Sequence, residues 1–151
     1  MSIAIGPPVL PYRGTRDTDA YGSGTFLASR DGGIRSHRGR DYITVPGDPI
    51  LSPIDGVITR IPRAYPDADL TGIEIETDRI RVKMLYLRPT VAIGTRVRRG
   101  QMVGTAQDVS GYWMGKAPRA SPMVSHVHLE IMVWMDPADA METPPAPGRA
   151  A

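Results

Sequence analysis

At 151 residues and 16.4 kDa the chain fits one domain with a single core and leaves little room for a second. Apolar residues at 41% and charged residues at 23% sit near the globular norm, which excludes disorder over the whole length. Lys and Arg number 18 against 16 Asp and Glu, and the net charge of +2 is too small to drive binding to nucleic acid or a membrane surface by bulk electrostatics.

In chain order, residues 1–20 carry Pro7, Pro8 and Pro11 and then the polar run Arg13-Gly-Thr-Arg-Asp-Thr-Asp, which reads as an extended N-terminal arm. The opening Met1-Ser-Ile-Ala-Ile-Gly-Pro-Pro lacks a basic region and meets prolines before an apolar stretch can form, so no Sec signal is expected. No apolar run reaches the roughly 18 to 20 residues of a spanning helix, and the expected product is soluble, with no membrane span.

With 16 glycines and 15 prolines and no repeat period, the middle of the chain predicts many short strands joined by tight turns. Strand patterning occurs in Tyr42-Ile-Thr-Val, Gly56-Val-Ile-Thr-Arg-Ile, Gly72-Ile-Glu-Ile-Glu-Thr, Ile80-Arg-Val-Lys-Met-Leu-Tyr-Leu and His126-Val-His-Leu-Glu-Ile-Met-Val-Trp. Ile73-Glu-Ile-Glu and Arg81-Val-Lys-Met-Leu, joined through Thr77-Asp-Arg, predict a hairpin with one wet face. Pro46, Gly47, Pro49 and Pro53 place their segments at edges or turns. Residues 107–125 form the longest stretch without a convincing strand, and its Tyr112 and Trp113 either line a groove wall or anchor the loop to the core. Trp134 and the methionines read as core packing. After Asp136 the Pro/Ala-rich composition cannot bury enough apolar surface to offset ordering, so 136–151 is expected to be a flexible tail. The expected fold class is all-β, an antiparallel domain over residues 21–135.

With no cysteine, any metal must be held by His, Asp or Glu. The chain has three histidines. His37 precedes Asp41 by four residues at a loop-to-strand junction, and His126 and His128 leave the same face of one predicted strand. His37, Asp41 and one of the paired histidines can supply the three ligands of an open tetrahedral zinc site, leaving the other as general base or hydrogen-bond partner. A surface His–Asp pair is the alternative reading. Glu130, on the same strand face, either orients an imidazole or faces solvent. Asp55 reads as a turn residue before Gly56. Arg96, Arg98 and Arg99 with Arg81 and Lys83 form either a basic patch or a solvated turn.

Taken together, Ser36-His37-Arg-Gly39-Arg-Asp41-Tyr with Pro46-Gly47, Ser52-Pro53-Ile-Asp55-Gly56-Val57-Ile58, Gly94-Thr-Arg-Val97-Arg-Arg-Gly100-Gln101-Met-Val-Gly104 and Ser125-His126-Val-His128-Leu-Glu130-Ile resemble the lysostaphin-type (LytM) zinc metalloendopeptidases. Tyr21-Gly-Ser-Gly-Thr-Phe ahead of the first block fits the same pattern. The resemblance implies a β-groove domain binding Zn2+ through His37, Asp41 and His128, with His126 catalytic and bacterial cell-wall peptides as substrate. One position departs from it. The Tyr-x-His-Leu strand of active members is Lys83-Met84-Leu85-Tyr86-Leu87-Arg88-Pro89 here, with Tyr86 where that histidine would stand. Val82-Lys-Met-Leu-Tyr-Leu-Arg-Pro is similar to the leukocyte cell-derived chemotaxin-like branch, which is zinc-binding and not regarded as proteolytic.

The resemblance implies a zinc endopeptidase acting on peptidoglycan peptides, with His126 handling the proton, and at the departing position the Tyr86 phenol can donate a hydrogen bond to the oxyanion. The alternative is a catalytically silent, zinc-pinned module that binds wall fragments or a protein partner. Without a Sec signal, access to the wall, in the periplasm or outside the cell, is expected through a phage tail or injection particle.

Overall fold

The structure is a computed structural model that describes residues 3–143 and 145–148. Residues 1–2 of the expected arm, and 144 and 149–151 of the expected tail, lie outside the described residues. Two short hairpins come first, β1 (Thr18–Asp19) with β2 (Gly22–Ser23) and β3 (Ser29–Arg30) with β4 (Arg35–Ser36). They are followed by β5 (Arg40–Ile43), β6 (Pro49–Leu51), β7 (Gly56–Arg60), β8 (Gly72–Glu76), β9 (Ile80–Leu85), β10 (Leu87–Pro89), β11 (Arg96–Val97) and β12 (Met102–Ala106). Helix α1 (Val109–Lys116), strand β13 (His126–Val133) and a helical turn α2 (Pro137–Ala140) complete the described chain.

Six strands form the main sheet in the order β11-β7-β8-β9-β13-β5, every neighbour antiparallel, and β10-β12-β6 form a smaller antiparallel sheet. The expected all-β antiparallel architecture is the one observed. Alternation along the strands divides the main sheet into two faces. Ile73, Ile75, Val82, Met84, Val127 and Leu129 point one way and pack with Ile50, Leu87, Val97 and Val103 into the core. Their neighbours Glu74, Lys83, His126, His128 and Glu130 point the other way and make the floor of a groove.

The expected hairpin of β8 and β9 is present, with Gly72 paired to Leu85 and Glu76 to Arg81. Its turn is closed by Thr77, whose hydroxyl accepts from the backbone N–H groups of Arg79 (3.1 Å) and Ile80 (2.9 Å). The expected wet face is only partly wet: Glu74 is 7% exposed, with Arg60 bonded to its carboxylate. The predicted strand 80–87 is interrupted at Tyr86, whose positive φ of 73° turns the chain out of β9 and into β10 of the other sheet.

Two expectations need correction. The 107–125 connection contains α1, which the glycine-interrupted sequence Val-Ser-Gly-Tyr-Trp-Met-Gly-Lys hid; its start is secured by Asp108, whose side chain accepts from Gly111 N–H at 2.8 Å. Trp134 is 44% exposed instead of being core, lying under the Arg81 guanidinium at 5.2 Å, and Met102, Met132, Met135 and Met141 are exposed as well. Met132 lies on the part of β13 that runs past the end of β5 and is paired with β9 alone. Met84 and Met123 are the methionines that fill core space.

Ahead of the hairpins, Val9 is fully buried and bridges Ile50, and Ile5 packs against the same core. Asp55 accepts from the backbone of Arg99 at 2.8 Å, tying two turns together. Arg81 on β9 pairs with Glu76 on β8, apart from the turn of Arg98 and Arg99. Among the described residues no helix is long and apolar enough to cross a membrane.

Candidate metal centre

Strand register assembles the centre. Antiparallel pairing sets His128 on β13 directly opposite Asp41 on β5, so both side chains rise from the groove face. His37 enters from above, held by a loop in which its N–H donates to Ala28 C=O (2.8 Å) and its C=O accepts from Leu27 N–H (2.7 Å). Two glycines are required by the crowding. A Cβ on Gly39 would lie 2.7 Å from the His128 ring, and one on Gly24 would lie 2.9 Å from the Asp41 carboxylate. The glycines near the first histidine therefore leave room for two of the three side chains that converge.

His37 Nε2, Asp41 Oδ1 and His128 Nδ1 form a small buried triangle. Its edges are 2.8 Å between the two nitrogens, 3.1 Å from His37 to Asp41 and 3.0 Å from His128 to Asp41. The far nitrogens decide the chemistry. His37 Nδ1 lies 2.8 Å from Thr25 C=O and His128 Nε2 lies 2.9 Å from the Glu130 carboxylate, so each of these nitrogens carries the proton. The facing nitrogens then present lone pairs, alongside a carboxylate oxygen, to one point.

Three acceptors at such distances require a cation among them. A proton or a divalent metal can be that cation. Burial pushes the His128 imidazole down, but Asp41 and Glu130 outweigh it and raise its pKa above the ordinary value. Burial likewise pushes the Asp41 carboxyl up, yet bonding to His128 and His37 holds it well below the usual carboxylate range. Two imidazoles and one carboxylate are a zinc donor set. A tetrahedral zinc site spaces its ligand atoms at about 3.3 Å, so opening the triangle by a few tenths of an ångström fits the ion.

Around the triangle, the second Asp41 oxygen accepts from the buried Arg16 at 2.9 Å. His126 is buried beside it, its Nδ1–H donating to Val124 C=O at 2.8 Å and its Nε2 3.3 Å from Asp41 Oδ2. Burial pushes the His126 pKa below its ordinary value against the attraction of Asp41, so its Nε2 is free to accept a proton. The Tyr86 ring stands edge-on to His126 with centroids 5.3 Å apart, and its hydroxyl shares a 2.7 Å hydrogen bond with Tyr65. Burial, then Tyr65, push the Tyr86 phenol well above its ordinary value; it is a donor and no base.

The centre opens into a groove of about 1090 Å3 whose wall includes Tyr65, Tyr86 and Trp113. Tyr65 stacks on Tyr112 (5.0 Å, 10°), and the Tyr112 hydroxyl donates to Asp67 at 3.0 Å. The aromatics of α1 thus do both things expected of them: they anchor the helix and form groove wall.

The structure brings together His37, Asp41, His126 and His128, the positions singled out by spacing, and sets Tyr86 against His126. Glu130 orients the His128 imidazole and does not simply face solvent. Arg16, Asp19 and Tyr65 went unnoticed in the sequence. Arg16 and Asp19 sit in a polar run that reads as solvated, and Tyr65 precedes a proline in a segment with no strand pattern, so no local signal marked them.

No protein-family model matches the chain, and no curated protein matches it in sequence. Solved structures do resemble it. The catalytic domain of the antimicrobial peptidase lysostaphin from Staphylococcus simulans is 22% identical, with 73% of this chain and 75% of that one covered and a TM-score of 0.50. A zinc-containing peptidase from Vibrio cholerae is 23% identical at a TM-score of 0.54, covering 81% of this chain and 37% of its own. Csd3 from Helicobacter pylori is 21% identical at a TM-score of 0.56, covering 93% of this chain and 34% of its own. The chain therefore spans only about a third of the length of the last two. The lysostaphin-type fold expected from the motifs is the fold observed, while these neighbours lend nothing to the chemotaxin-like branch.

Proposed function

We propose that the chain is a zinc-dependent endopeptidase that hydrolyses peptide cross-links of bacterial peptidoglycan. The observation that carries this reading is the convergence of His37 Nε2, Asp41 Oδ1 and His128 Nδ1 in a groove, with His126 Nε2 beside them. His37, Asp41 and His128 would hold the ion. Zinc bound there would polarise the scissile carbonyl and lower the pKa of a water.

His126 takes a proton from the attacking water and hands it to the amine as the C–N bond breaks, so no covalent enzyme intermediate forms. Its bond to Val124 C=O keeps Nδ1 protonated and Nε2 turned to the site. Tyr86, polarised by Tyr65, donates to the developing oxyanion in place of the absent histidine. Glu130 and Arg16 fix the ligands in place. Lysostaphin-type neighbours that are peptidases support the reaction class, and the resemblance of the motif blocks supports the wall substrate. The particle-delivery expectation gains no support from fold or neighbours and is left out of this reading.

The test is release of new amino groups from purified peptidoglycan by zinc-loaded protein. His126→Ala is expected to abolish it, and Tyr86→Phe to lower the rate by about 10²–10³, the usual cost of one oxyanion donor. Zinc-loaded protein that releases no amines, while Tyr86→His does, would establish instead the silent zinc-pinned binding module.

A further inference from the structure

We infer that Arg16 is a positioning residue of the metal centre, acting through Asp41. The inference rests on the zinc-site part of the proposed function and is independent of hydrolysis. Arg16 is 3% exposed, and its own backbone N–H donates to Asp41 C=O at 2.9 Å. Its Nη1 donates to Asp41 Oδ2 at 2.9 Å, while Nε and Nη2 grip Asp19 through both oxygens at 2.8 and 2.7 Å.

The chain of contacts closes on itself. Asp19 Oδ2 also accepts from Val124 N–H at 2.9 Å, and Val124 C=O accepts from His126 Nδ1–H at 2.8 Å. His126 Nε2 returns to within 3.3 Å of the Asp41 oxygen that Arg16 holds. One guanidinium thus sets the rotamer of a candidate metal ligand and, through Asp19 and Val124, the aim of the histidine proposed to carry the proton.

Two consequences follow from this ring. With Oδ2 bonded to Arg16, Asp41 turns Oδ1 toward His37 and His128, and any approach of a metal to Oδ2 would have to compete with that bond. The task also needs a planar fork, because an ammonium cannot reach Asp41 and both oxygens of Asp19 in fixed directions. Charge alone does not explain the arrangement: Asp19 by itself would neutralise the buried guanidinium.

Zinc affinity of the full chain, measured by competition with a chromophoric chelator, tests this alongside the visible absorption of the cobalt(II)-substituted protein. Arg16→Met is expected to weaken zinc binding 10–100-fold, the usual effect of losing such a partner, and to dim the cobalt bands as Oδ2 becomes free to ligate. Arg16→Lys should fall between it and the native chain. Arg13→Met, which breaks the other ion pair of the same segment, with Asp48, should leave both readouts unchanged.

Native affinity and spectrum in Arg16→Met would overturn the inference. Should that variant fail to fold, Asp19→Asn loosens Arg16 from its far side, and unchanged zinc affinity there overturns it equally. Native protein that binds no zinc would instead overturn the metal centre itself, whatever Arg16 does.

Discussion

A proton and a metal would compete for one nitrogen in this protein. His128 Nδ1 faces His37 Nε2 and Asp41 Oδ1, and its pKa is raised, so in the metal-free chain it keeps its proton to higher pH than a free imidazole. The ordinary value is about 6.5, and a raised pKa extends proton competition above it. Apparent zinc affinity should therefore climb about tenfold per pH unit as pH rises toward the raised pKa and level off beyond it, a profile that competition titrations between pH 5.5 and 8.5 will trace. Gly39 offers a second test. Its missing side chain is what lets Leu129 C=O and the His128 ring lie against it, so Gly39→Ala should cost about 1–3 kcal/mol in denaturant unfolding and weaken zinc binding at the same time. The converging positions were legible in the sequence because a two-residue spacing puts His126 and His128 on one strand face and His37 stands only four residues before Asp41. Arg16 was not, because a long-range ion pair leaves no periodic trace, and a charged run looks the same whether solvated or buried.

Helix α1 and strand β13 show what element-level patterning can and cannot reveal. β13 alternates from His126 to Ile131, and the core face and groove face of that stretch were both readable. The exposure of Ile131 and Val133 was not, since it depends on where β5 ends, a property of the pairing and not of β13 itself. In α1 two glycines depress helical propensity and no apolar stripe marks it, so its stability comes from the Asp108 cap and from the packing of Tyr112 and Trp113 on Tyr65. Asp108→Ala should lower stability by about 0.5–2 kcal/mol. Because Trp113 is groove wall, the same variant should raise KM for wall peptides more than it lowers kcat, a split that steady-state kinetics will resolve.

At the scale of the whole molecule, the main sheet separates stability from chemistry by its two faces. Ile75 is fully buried on the core side, and Ile75→Ala should cost about 2–5 kcal/mol while leaving the zinc affinity of the folded protein within a few-fold of native. Thermal unfolding with and without excess zinc, beside the chelator titration, separates the two effects. The antiparallel plan was readable from turn residues and alternation, whereas the sharing of the core between two sheets arises from the chain reversal at Tyr86, where a bulky residue adopts a conformation nothing local favours.

His37 and His128 are 91 residues apart in a chain with no cysteine. An ion joining them would tie together distant parts of the domain, and because it binds the folded chain and not the unfolded one it would stabilise the fold by mass action. Metal in the groove would then set how often the whole domain opens, and a chain stripped of it should be the form that proteases digest first.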